Sequence, residues 1–231
     1  MPTAFPGFSK DFFKFFEEIA RNNDRTWFEA NKPRFQDVVQ GEMIEFITAI
    51  APRLEKISPY YIANPKRNGG SMFRIYRDVR FSKDKRPYKE HAACQFRHSA
   101  GRDAHAPGFY VHLESDKVIF GGGIWKPPAD KLALIRHKIA KDPAAWKKVT
   151  GNKRLKDTFG GVAGDALKRP PKGFDAETPN IDDIKRISFF AMRHEKASLA
   201  RSKDFVGEVE KTFKAATPLM KFITGALDVA F

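Results

Sequence analysis

Between Ser71 and His91 the chain reads SMFRIYRDVRFSKDKRPYKEH. This stretch holds residue types that move protons and bind anions. His91 can take or give a proton near neutral pH, and the Asp78 carboxylate is suited to orienting its ring. Arg74, Arg80, Lys85 and Lys89 are cations of the kind that clamp a phosphate or carboxylate. Tyr76, and further on Tyr110 and His112, complete the set as pocket-lining groups. No activated serine or cysteine nucleophile accompanies them. A hydrolysis here would therefore use water activated by an Asp78–His91 pair, without a metal or a cofactor.

Such a site needs a scaffold that brings Asp78 to His91. Read with period two, Phe73, Ile75, Val79 and Phe81 share one face with Arg77, and Met72, Arg74, Tyr76, Asp78 and Arg80 share the other. The spacing predicts a strand over 72–81, a turn at SKDKR, and a second strand from Pro87. Placing Phe81 opposite Tyr88 keeps the apolar residues together, with Ile75 on Cys94 and Arg77 on Ala92. The ionic face then pairs Asp78 with His91, Arg80 with Lys89 and Arg74 with Gln95. A slip of one residue would put Lys89 and His91 on the apolar face. Arg77, on that apolar face, is expected to pair with Glu90. Like charges at Arg80 and Lys89 need an offset, either Asp78 or an external anion.

Beyond this hairpin, Phe109, Val111 and Leu113 alternate with Tyr110, His112 and Glu114, which predicts a third strand. A turn at Ser115-Asp116 leads to a fourth through Val118 and Phe120, pairing Leu113 with Val118 and Val111 with Phe120. The Gly121–Gly123 run reads as a bulge or a point of close packing. Residues 187–192 alternate as a possible fifth strand. Helices are expected from the Ser9 cap to about Arg21, from Asp24, and from Pro33 to about Leu54. Others start at Pro127-Pro128, Pro143 and Asn180, one runs from Ser202 through Ala216, and a last one starts at Pro218. Loops are expected at 57–70 and 97–106, and residues 150–175 read as loops with a weak strand or turn of helix. The fold class is α+β: a mainly antiparallel sheet of four to five strands, flanked by N- and C-terminal helices. The simplest organisation is one domain over 1–231, with helices at 9–54, a sheet core at 71–125 and a helical part at 127–231.

The chain has 231 residues, of which 22 are Phe, and can therefore bury a full core. Its net charge of +14 favours anionic partners, either a small metabolite or a nucleic acid. Cys94 is the single cysteine, which excludes an internal disulfide, a cysteine zinc site and a CxxC pair. The start MPTAFPGFSKDFF has no basic head before an apolar run, and no stretch is long enough to span a bilayer. A cytoplasmic setting without membrane contact is expected. Phosphate-loop, dinucleotide, nucleophile-elbow and HExxH motifs are absent. His91, His98, His105 and His112 recur every seven residues, but odd spacings alternate faces on a strand. Nearby Arg and Lys would also repel a metal held by Asp78, His91 and His112.

The string FRIYRDVRFSKDKRPYKEH, followed in order by PGFYVHLE, GGGIWKP and LIRHKI, resembles the mainly bacterial family called domain of unknown function 2461. NNDRTWFEANKPRF before it, and PKGF and TPLMKFI after it, extend the similarity over nearly the whole chain. The resemblance implies a compact, cytoplasmic domain and assigns neither activity nor catalytic residues. Three function classes follow from the residues. One is an enzyme or binder for a small phosphate- or carboxylate-bearing ligand. The others are a nucleic-acid-binding module and a protein whose ionic face is covered by a partner.

Overall fold

The computed structural model describes residues 5–101 and 105–231; the middle of the 97–106 loop and the first four residues of the chain's start lie outside them. Helix α1 (Lys10–Arg21) begins where Ser9 Oγ accepts from Phe12 N–H, and it buries Phe12, Phe13, Phe15, Phe16 and Ile19. Asp24 caps α2 (Arg25–Arg34) in the same way. Pro33 lies inside α2 instead of opening a helix, and a π-helical segment, Phe35–Gln40, joins α2 to α3 (Gly41–Ile57).

Strands β1 (Ala92–Arg97), β2 (Gly108–Leu113) and β3 (Lys117–Ile124) follow. Then come α4 (Ala129–Lys141), α5 (Pro143–Thr150), α6 (Lys153–Phe159) and the short α7 (Ile181–Ile184). Strand β4 (Phe189–Lys196), the short α8 (Ala197–Ala200) and α9 (Phe205–Ala226) complete the chain. The two helices predicted on either side of Pro218 are one. Leu219 and Met220 continue the buried face of Phe213 and Ala216, so packing outweighs the one backbone bond that proline forfeits.

The four strands form one antiparallel sheet in the order β1-β2-β3-β4. Leu113 pairs with Val118 and Val111 with Phe120, the predicted register. One face, with Cys94, Phe96, Phe109, Val111, Leu113, Val118 and Phe120, is fully buried. Helix α9 lies on it, with the Phe213 ring stacked 4.6 Å from that of Phe109. The glycine run makes this closeness possible. A Cβ on Gly122 would sit 2.9 Å from Phe109 Cδ1 and 3.0 Å from Met220 Sδ, and one on Gly121 would lie 1.9 Å from the Ala191 carbonyl oxygen.

The predicted strand over 72–81 does not form. Segment 71–77 touches the β1 side through two isolated bridges, Met72 with Cys94 and Tyr76 with Tyr88. Phe73 N–H donates to Ala93 O and Lys89 N–H to Ile75 O. This pairing differs from the predicted one by an odd number of residues, which reverses the faces. The cause is a distant anchor. Asn23 Oδ1 accepts from Tyr88 N–H and Asn23 Nδ2 donates to Tyr88 O, both at 3.0 Å, while Phe28 stacks on Tyr88 at 4.2 Å. Tyr88 is thereby set against Tyr76, and Phe81 is left 95% exposed.

Candidate functional site

Alternation puts Ala93, Gln95, Tyr110, His112, Ile119 and Met192 on the sheet face opposite α9. Segment 71–91 folds back over this face, and the Phe73 ring meets Tyr110 edge-on at 6.2 Å. The result is a cavity of about 480 Å³. Its walls are mostly apolar: Phe73, Ala93, Ile119, Trp125, Phe190 and Met192. Lys89, His91, Gln95 and Tyr110 are its polar groups. A second, polar recess of about 230 Å³ is lined by Arg77, Arg86 and Glu114 among others, and it shares Lys89 and His91 with the cavity.

Four of the predicted site residues meet here: Lys89, His91, Tyr110 and His112. The rings of His91 and His112 stack with centroids 4.1 Å apart. Burial, then the neighbouring His112 and Lys89, push the His91 pKa down to about 4. Its imidazole is therefore neutral at neutral pH, and among the described residues its nitrogens make no hydrogen bond. Lys89 Nζ donates to Arg74 O at 2.7 Å and lies 5.4 Å from the centre of the Phe73 ring. Burial, then Arg74, lower its pKa.

His112 is gripped at both nitrogens. Nε2 lies 2.8 Å from Glu114 Oε1, and Nδ1 lies 3.0 Å from the Tyr110 hydroxyl. Burial lowers the His112 pKa more than Glu114 raises it, so the ring is neutral. A carboxylate only accepts, so Nε2–H donates to Glu114 and Nδ1 accepts from Tyr110 O–H. Burial alone would raise the Glu114 pKa. Hydrogen bonds from His112 and Lys117 outweigh it and hold Glu114 ionised. Burial pushes the Tyr110 hydroxyl up, which makes it a donor and not an anion.

The other predicted residues lie elsewhere. Asp78 does not meet His91: its carboxylate takes Arg80 Nε at 2.9 Å and Nη2 at 2.7 Å, on the exposed loop. The Arg80 side chain drives the Asp78 pKa down to about 2. Arg80 is thus matched by Asp78 and does not face Lys89. Lys85 Nζ donates to Val79 O. Arg74 offers its carbonyl to Lys89, and Tyr76 packs on Tyr88 and Phe28 while 46% exposed. Arg77 binds Asp84 at 2.7 Å, not Glu90, whose ion-pair partner is Arg86. Among the described residues, no group of three His, Cys, Asp or Glu side chains is placed to hold a metal.

Glu114 belongs to the site and was missed as a site residue, although the alternation Tyr110–His112–Glu114 was visible. Tyr110 and His112 on β2 and Glu114 just past its end stand at i, i+2 and i+4 on one face, and these side chains are long enough to touch. Phe73, Gln95, Trp125, Phe190 and Met192 carried no such signal, because they converge from separate segments. His98, expected in a loop, is buried and its Nε2 bonds Ala230 O at 2.7 Å.

Comparison with known families matches residues 11–222 to the one described as "Conserved hypothetical protein (DUF2461)". Comparison with curated proteins gives no match. No helix among the described residues is long and apolar enough to cross a membrane.

Proposed function

Since the chain belongs to the DUF2461 family, whose description names no activity, we propose from the site itself that the protein binds a small carboxylate-bearing molecule with a flat, apolar body. The supporting observation is the Lys89 ammonium beside the neutral His91 in a cavity whose walls are mostly apolar and include three aromatic rings, Phe73, Trp125 and Phe190. Phe73, Trp125 and Phe190 suit the faces of an unsaturated ring. Lys89 keeps two ammonium hydrogens beyond the one given to Arg74 O, and they suit a carboxylate. A phosphate would ask more charge of this cavity than one ammonium supplies. The Arg80 guanidinium, expected to serve an external anion, is answered by Asp78, and the neighbouring Arg77 and Arg86 are answered by Asp84 and Glu90. The same pairing weakens the nucleic-acid reading.

Calorimetric titration with benzoate and with inorganic phosphate tests the proposal. Benzoate should bind, phosphate should bind far more weakly, and Lys89→Met should weaken benzoate by at least about tenfold. Equal affinity for both anions, or benzoate binding untouched by Lys89→Met, would refute it. Tight, steeply salt-dependent binding of single-stranded DNA would move the function to a polyanion.

A further inference from the structure

We propose that Tyr110 is a catalytic acid–base residue and that Tyr110–His112–Glu114 carries a proton between the apolar cavity and the polar recess. The inference rests on the ligand pocket proposed above and adds a reaction class to it. That class is proton transfer on a carboxylate that also bears a hydroxyl, or a C–H bond next to a carbonyl. Tyr110 lines the cavity, Glu114 lines the recess, and His112 joins them through contacts of 3.0 and 2.8 Å.

The step balances. The ligand's X–H proton passes to the Tyr110 oxygen as the Tyr110 proton passes to His112 Nδ1. The ligand gains one negative charge, as an alkoxide or enolate, and the imidazole gains one positive charge. Glu114, already accepting from Nε2–H, faces that new cation at once. The reverse path makes Tyr110 a general acid.

The other charged groups around the ring shape its proton affinity. His91 is stacked on it and neutral, so the imidazolium does not form against a second cation. Lys117 and His194 oppose protonation and Glu114 favours it. Burial, then His112 and the Lys89 charge, hold the His91 ring neutral. A purely structural triad would leave Tyr110 no more reactive than the chain's other tyrosines.

3-(Fluorosulfonyl)benzoate tests this, because its carboxylate addresses Lys89 and its sulfonyl fluoride reports a base-assisted phenol. The Tyr110 oxygen forms the S–O bond, fluoride leaves with the S–F electron pair, and the phenol proton goes to His112. Peptide mapping should find the label on Tyr110, with unlabelled benzoate protecting it. The rate should rise with pH through the His112 titration below 6.5 and then level off. A phenol without a base would keep gaining rate toward pH 10. His112→Gln should slow labelling at least tenfold, and Glu114→Gln should slow it less while moving the inflection to lower pH. A circular dichroism melt of each variant confirms that it is folded. Benzoate binding with no label on Tyr110, or a rate indifferent to His112→Gln, overturns the relay and leaves the pocket standing. No benzoate binding at all overturns the pocket itself.

Discussion

The two faces of strand β2 differ in burial and in the kinds of side chain they carry. On β2, Phe109, Val111 and Leu113 are fully buried against the α9 side, while Tyr110 and His112 alternate with them and are only half-buried. The buried face contains no titratable group on this strand, and its role is cohesion. The open face holds a hydrogen-bonded tyrosine, histidine and glutamate beside a cavity. The pleat separates cohesion from the proposed chemistry residue by residue, so each should be open to perturbation with little effect on the other.

The sharpest break of that separation is on the buried face. Phe109→Ala should cost about 3–5 kcal/mol of unfolding free energy, since it empties a ring's volume between Phe213 and Tyr61. Chemical denaturation would measure it. Tyr110→Phe, one residue away, should cost no more than about 1 kcal/mol, the hydrogen bond to His112. Equal losses would mean that the open face is structural too.

His91 should give the open face an acid-sensitive stability of the next magnitude. Its folded pKa, about 4, lies below the unfolded value of 6.5, so between these pH values the unfolded chain binds more protons. Stability from the neutral ring is then complete above pH 6.5 and lost as pH falls toward 4. The loss should be about 1–2 kcal/mol, since the ring is part-exposed and the shift is screened. His91→Gln should reduce the loss of thermal stability over that range, leaving the part that His112 contributes. An unchanged pH slope would show that His91 is not held neutral by its surroundings.

Smaller still is Lys89→Met. Burial already disfavours this ammonium, so the substitution should leave the melting temperature unchanged or slightly raised while benzoate affinity falls. A clear loss of stability with binding intact would reassign Lys89 to the scaffold. Arg80→Ala should do least. Its guanidinium serves Asp78 in solvent, and neither melting temperature nor benzoate titration should respond. Arg77→Met should cost little more, because its ion pair with Asp84 is only part-buried.

What the sequence determined by itself is local. Ser9 and Asp24 start helices through a bond to the backbone three residues on, which any chain with those residues in place can form. The β2–β3 register followed from a tight turn and two alternating runs, and it placed Tyr110 and His112 on one face. The placing of segment 71–91 was not local. Its alternation favoured one register, but Asn23, 65 residues from Tyr88, and Phe28 hold that tyrosine in another. Asp78 consequently finds Arg80 two residues away, and His91 finds His112 on a different strand. Side chains within four residues of each other meet by backbone geometry alone, whereas register between distant segments is chosen by whichever buried contacts outweigh the cost of ordering the chain between them, and only the tertiary structure holds that balance.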